Sequence, residues 1–174
     1  LAPVNFDAKG HQNTTLQSYQ HKEPSMTVTV TSLTSADRGE WQKLYHAYAA
    51  FYHMPMNDEI LEWVWQWIFD PAQPFFGLIA KDELGQGVGL MHFREMVSPL
   101  RGAKVGFLDD LFVLPQMRGT GVVELLYEGL RVQAKEQGWP FMRWMTAEAN
   151  YRGRAVYDRI AEKTAWLTYQ MQVD

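Results

Sequence analysis

Cysteine is missing altogether from this chain of 174 residues. Without a thiol there is no disulfide, no cysteine–zinc site and no cysteinyl acyl-enzyme. No apolar run approaches the roughly 20 residues that cross a bilayer as a helix, so an integral membrane protein is not expected. A charged-then-apolar signal pattern is also absent, which favours the cytoplasm. Histidine is sparse, and His46, His53 and His92 have no metal-ligand spacing, so no metal site is expected. Basic residues are not in excess: 16 Lys and Arg against 20 Asp and Glu give a net charge of −4. Nonspecific nucleic-acid binding is therefore not expected, and an acidic cleft that attracts amines is compatible with the balance.

What is present is ordinary for a globular domain: 47% apolar and 21% charged residues. The length suits one domain with its own core. Residues 1–25 are polar and without periodicity. They read as an N-terminal extension, a leader or remnant without assigned function, ahead of a domain spanning 26–174. Met26 to Thr31 alternates as a half-buried strand. Thr34-Ser35-Ala36-Asp37 reads as a capping box. Trp41, Leu44, Tyr45, Tyr48, Phe51 and Tyr52 then recur at helical spacing up to Pro55. Asn57-Asp58-Glu59 opens a second helix that stops before Pro71. Phe75 to Lys81 and Val88 to Val97 read as a hairpin, and Lys104 to Val113 as a central strand. A helix from about Thr120 to Gln137 ends at Gly138. A strand over Phe141 to Thr146, a helix from Asn150 to about Lys163 and a last strand over Trp166 to Val173 complete the order. The order β–α–α–β–β–β–α–β–α–β is mixed α/β.

The most informative stretch is Phe107 to Leu130. A buried strand leads to Gln116-Met117-Arg118-Gly119-Thr120-Gly121 and then to an amphipathic helix, with Val122, Leu125, Leu126 and Leu130 on its apolar face. Two glycines at such a junction let main-chain N–H groups approach a ligand. The first turn of the helix carries unpaired donors and the positive end of the dipole, which suits a phosphate. Arg118 adds a charge, and the strand carries adjacent carboxylates, Asp109 and Asp110. Three ligands fit such a cradle. The P-loop needs a lysine that is absent here. The dinucleotide fingerprint wants a third glycine where Glu124 stands, although Glu148 is placed to act as its ribose-binding acid. Acyl-CoA is the third.

Gln116-x-x-Gly119-x-Gly121 matches the Q/R-x-x-G-x-G/A motif of the GNAT superfamily of N-acetyltransferases. Asn150 to Tyr157 resembles the superfamily's N-x-x-A-x-x-x-Y helix, with Gly153 in place of the alanine. Leu108 to Val113 is similar to the corresponding strand of diamine acetyltransferases. Gly39-Glu40-Trp41-Gln42 with Phe51-Tyr52, and Trp144-x-Thr146-x-Glu148-x-Asn150, resemble the fungal histone and D-amino-acid N-acetyltransferase branch. The resemblance spans roughly Met26 to Met171. It implies a central, mostly antiparallel twisted sheet flanked by helices, acetyl-CoA as cosubstrate, and a homodimer. It also implies two strands after the last helix, so the short span from Thr164 is either truncated or exchanged with a partner subunit.

The same resemblance distributes roles. The main chain of Leu111, Phe112 and Val113 would pair with the pantetheine amides. Gln116 and the N–H groups from Arg118 through Gly119, Thr120, Gly121, Val122 and Val123 would hold the pyrophosphate. Tyr157 would protonate the departing sulfur, and Asn150 would either bind the pantetheine arm or only cap its helix. An alkylamine, with a pKa near ~10, must lose a proton before it attacks. Asp109 is the first choice of base, through a relayed water, and Asp110 the second, reaching the same cleft if a bulge interrupts the strand. The expected enzyme acetylates a primary amine directly: a small amine, a polyamine, an amino acid, or a protein lysine. A nucleotide-binding oxidoreductase and a non-catalytic acyl-CoA sensor are the alternatives.

Overall fold

A computed structural model describes residues 27–173; the polar extension 1–25 lies outside the described residues. Five strands form one sheet in the order β1-β2-β3-β4-β5. They are β1 (Thr29–Ser32), β2 (Phe75–Lys81), β3 (Gly87–Ser98), β4 (Ala103–Val113) and β5 (Met142–Trp144). The first four pair antiparallel, and β5 runs parallel to β4. A doubly wound dinucleotide-binding sheet is parallel throughout its core. This one is not, and the oxidoreductase alternative loses its scaffold.

Helices α1 (Arg38–Phe51) and α2 (Asp58–Phe69) lie between β1 and β2 in the chain, α3 (Val122–Glu136) between β4 and β5, and α4 (Tyr151–Ile160) after β5. Side chains alternate across the sheet. Leu78, Ala80, Met91 and Phe93 pack toward α3, with Val122, Leu126 and Leu130. Ile79, Leu90 and Phe112 pack toward α1 and α2, with Trp41, Leu44, Leu61 and Val64. With helices on both faces, the start of β3 is buried throughout, which explains an apolar run with no polar alternation. Burying a Leu or Phe side chain is worth about 1.5–3 kcal/mol, so these stripes, more than propensity, decide where the helices dock.

The local signals hold. The Thr34 amide and hydroxyl both donate to Asp37 Oδ2, at 2.8 and 2.7 Å. Asn57 Oδ1 caps α2 by accepting from Ile60 N–H at 2.9 Å. Two expectations fail. Leu125, placed on the apolar face of α3, is exposed. The last strand does not form: residues 161–173 carry no regular structure, and Trp166, Leu167, Tyr169, Met171 and Val173 are all exposed. Alternation specifies a face, but a strand also needs a ladder partner. The neighbouring β5 is only three residues long.

Candidate active site

The site is organised along β4. Its pairing with β5 covers Gly106, Phe107 and Leu108, opposite Met142, Arg143 and Trp144, and goes no further. From Asp110 to Val113 the strand is paired, among the described residues, with β3 alone. The strands part there, leaving a row of main-chain groups of Leu111, Phe112 and Val113 without a strand partner on that edge. An extended chain of amides fits such an edge as an added strand does.

β4 then delivers the chain to the glycine turn. Gly119 and Gly121 have φ of +83° and +92°, in the left-handed region that disfavours a Cβ. Among the described residues, chain neighbours aside, no atom lies within 4 Å of where a Cβ would stand on either residue. The turn is thus open on its outer side, and Gly121 is the N-cap of α3 with no side-chain cap. The first amides of the helix therefore keep their donors for a ligand. Gln116 is exposed in a short 3₁₀ turn, Pro115–Met117, just ahead. Arg118 Nε donates to Val113 O at 3.1 Å, and its guanidinium lies over the Phe51 ring at 5.1 Å. One β4 carbonyl is therefore already in use, and Arg118 is held beside the turn by α1. Thr120 Oγ1 donates back to Met117 O at 2.8 Å, which closes the loop. Val122 is buried in the core and Val123 packs against it, so they offer the cradle only main chain.

On α4, Tyr157 packs against Trp144 and Tyr127, at ring distances of 5.6 and 6.4 Å. Burial pushes its hydroxyl above the ordinary tyrosine range, the nearby Tyr52 adds to this, and Thr146 pulls part of the way back. The hydroxyl keeps its proton at neutral pH, as an ordinary tyrosine does. Asn150 caps α4: its Oδ1 accepts from Gly153 N–H at 3.1 Å, and its Nδ2 donates to Thr146 Oγ1 at 2.9 Å. A Cβ on residue 153 would stand 2.5 Å from that Nδ2, so alanine there would require the Asn150 amide to shift.

At the other end of the bare edge, a cleft of about 500 Å³ is lined by Tyr45, Val64, Trp67, Phe75, Arg94, Asp109 and Asp110, among others. The β3–β4 register shifts here: His92 faces Asp110 and Phe93 faces Leu108, so Asp109 is an extra, bulged residue. The expected bulge is present, and both carboxylates line one cleft. They are differently held. Arg94 Nε donates to both oxygens of Asp109, at 3.1 and 3.0 Å. Burial pushes the Asp109 carboxyl above its ordinary value, with Arg94 pulling against it. Asp110 Oδ2 accepts from His92 Nδ1 at 2.9 Å and from the Tyr45 hydroxyl at 3.3 Å. His92 is fully buried and also bonds Trp41 Nε1, at 2.8 Å.

Sequence reasoning passed over His92, Trp41, Tyr45 and Arg94. A signal existed for His92: it is the one ionisable residue inside Gly87–Phe93, a run that is buried at every position. The partners come from other elements, and no spacing announces them. Among the described residues no cluster of three or more potential metal ligands is found, and no helix is long and apolar enough to cross a membrane.

Residues 40–161 match the family model described as Acetyltransferase (GNAT) family. The chain belongs to the GNAT acetyltransferase family. A relative of this GNAT chain, the D-amino-acid N-acetyltransferase HPA3 of Saccharomyces cerevisiae, is 28% identical over 144 residues, covering 82% of this chain and 89% of that protein. Among solved structures, a ribosomal-protein-alanine N-acetyltransferase from Brucella melitensis biovar Abortus superposes with a TM-score of 0.68 at 24% identity, over 84% of this chain and 100% of that one. The aminoglycoside acetyltransferase AAC(6')-Iy, bound to a CoA-based bisubstrate analogue, gives a TM-score of 0.75 at 18% identity, over 85% of this chain and 99% of that one. At those identities the two structures speak for the fold. The chain is thus a GNAT N-acetyltransferase with that family's mixed sheet.

Proposed function

We propose that this GNAT chain transfers the acetyl group of acetyl-CoA directly to the primary amine of a small molecule, in a ternary complex. The observation that carries the reading is β4 itself. One strand joins the two-carboxylate cleft, a bare main-chain edge and an open glycine turn at a helix N-terminus, in the order an amine, a pantetheine arm and a pyrophosphate would occupy. The main chain of Leu111 and Phe112, with whatever Val113 leaves free, would take the arm. The amides of Gly119 to Val123, flanked by Gln116 and Arg118, would take the pyrophosphate. Acetyl-CoA supplies an activated carbonyl carbon, at which a C–N bond forms and a C–S bond breaks. The carboxylate pair takes the proton that frees the amine lone pair, and the Tyr157 hydroxyl, protonated at neutral pH, gives a proton to the departing sulfur.

The acceptor we favour is an amino acid. Arg94 is half exposed at the cleft. Its guanidinium lies over the Phe107 ring at 4.9 Å, and among the described residues only its Nε makes hydrogen bonds, leaving the outer nitrogens for a substrate carboxylate while the acids face its ammonium. The yeast relative, a D-amino-acid acetyltransferase by name, agrees with this choice. The working unit we take to be a homodimer, supported by the apolar side chains from Trp166 to Val173 that stand exposed. Sedimentation velocity tests that part, and a species of one-chain mass contradicts it.

Two measurements test the main reading. Calorimetric titration with acetyl-CoA and with NAD is expected to give binding for the first only. A thiol-release assay over amino acids of both hands, polyamines and lysine peptides is expected to show turnover. Binding without turnover would make the chain an acyl-CoA sensor.

A further inference from the structure

The buried line of hydrogen bonds that enters the cleft from α1 has a direction. An indole N–H is a donor only. The 2.8 Å contact of Trp41 Nε1 with His92 Nε2 therefore makes that ring nitrogen the acceptor. The His92 proton sits on Nδ1, which donates to Asp110 Oδ2 at 2.9 Å. The Tyr45 hydroxyl approaches the same oxygen at 3.3 Å. Trp41 and His92 are both fully buried, and Trp65 packs at a tilt against the Trp41 ring at 4.8 Å, so this line is clamped by packing. Its last member, Asp110, is the first to meet the cleft, with 19% of its side chain accessible.

The two neighbouring carboxylates differ in what a proton would cost them. Asp109 is gripped on both oxygens by Arg94 Nε, and taking a proton there disrupts that grip. Asp110 takes the hydrogen bonds of His92 and Tyr45 both on Oδ2, and the Tyr48 hydroxyl also faces the carboxylate, while Oδ1 accepts no hydrogen bond within 3.5 Å among the described residues. A proton can settle on Oδ1 with the Tyr45 and His92 bonds intact.

We propose that Asp110 is the proton acceptor of the transfer and that Trp41 and His92 are positioning residues acting through it: Trp41 selects the His92 tautomer, and His92, with Tyr45, aims the Asp110 carboxylate into the cleft. This rests on the acetyltransferase reading above. In the step, an N–H bond of the bound ammonium breaks, the proton joins Asp110 Oδ1, and the electron pair stays on nitrogen as the lone pair that attacks. Asp110 later returns the proton to water at the cleft mouth. Asp109, paired with Arg94, is left to orient the acceptor.

The test begins with nitrogen-15 NMR of histidine-labelled wild-type chain, with the His92 signals assigned by their loss in His92→Asn. His92 is expected with a proton on Nδ1 and none on Nε2, and an Nε2–H ring overturns the proposal whatever the activity. Thiol-release kinetics follow, on the best amine at saturating acetyl-CoA. Asp110→Asn is expected to lower kcat by about a hundredfold or more with acetyl-CoA affinity kept, while Asp109→Asn raises the amine KM more than it lowers kcat. His92→Asn keeps an N–H donor near the Nδ1 position and His92→Leu does not, so the asparagine variant should retain at least about tenfold more kcat. Equal kcat in the two His92 variants, or undiminished kcat in Asp110→Asn, overturns the proposal while leaving the acetyltransferase reading standing. A wild-type chain that binds acetyl-CoA and turns over no amine defeats that reading and the base assignment with it, and the NMR result still decides the Trp41–His92 lock.

Discussion

The two ends of β4 are built from different materials. At the cradle end the chemistry is main chain: two glycines with positive φ, the first amides of α3 and a strand edge that β5 leaves bare. At the cleft end it is side chains, Trp41 and Tyr45 from α1, His92 and Arg94 from β3, Asp109 and Asp110 from β4. A main-chain site depends on local conformation, so a short contiguous motif can encode it. A side-chain site depends on tertiary packing, and partners such as Tyr45 and Asp110 lie 65 residues apart.

If the division is real, substitutions at the two ends should fail in different ways. Tyr157→Phe keeps the ring packed on Trp144 and removes only the proton donor. It should lower kcat by about a hundredfold or more, with acetyl-CoA affinity unchanged by calorimetry. Loss of affinity instead would make Tyr157 a packing residue. Gly121→Val forces a Cβ into the left-handed region, at a cost of about 1–2 kcal/mol, and should weaken acetyl-CoA binding by roughly five- to thirtyfold. The amine KM should stay put. Arg94→Gln is the mirror experiment: the KM for an amino acid should rise about tenfold and that for an alkylamine lacking a carboxylate should hardly move.

A carboxylate outside both ends supplies the baseline. Asp37 is buried, which opposes its charge, but hydrogen bonds from Lys81 and Thr34 win and hold it below its ordinary 3.8. A depressed folded value means stability present above about pH 4 and lost as pH falls through that lower value. Asp37→Asn should cost about 1 kcal/mol at pH 7 in denaturant melts, a difference that closes in acid, without altering kcat. The smallest effect is expected at Asn150. Because both ends of its amide are satisfied within α4 and Thr146, Asn150→Ala should lower stability by about 0.5–1 kcal/mol and leave acetyl-CoA affinity alone.

How much of this was legible follows the same division. The glycine turn, the strand before it and the helix after it were readable because each is a local pattern. The bulge at Asp109 was foreseeable as a requirement, since two adjacent strand residues otherwise point to opposite faces. That Arg94 would grip one carboxylate and His92 the other was not, because register between β3 and β4 decides it. The tail misled for a related reason. Leu167, Tyr169, Met171 and Val173 alternate as a strand would, yet no ladder receives them, and pairing is a property of two segments.

The central claim is that the amides at the start of α3 hold the diphosphate of acetyl-CoA and so point its thioester at the cleft. Amide resonances of Gly119 to Val122, followed during titration with acetyl-CoA and in parallel with NAD, test it most directly. The account predicts that these signals shift saturably with acetyl-CoA and stay still with NAD. If acetyl-CoA binds by calorimetry and the amides of Gly119 to Val122 do not move, the cofactor sits elsewhere and the account is wrong.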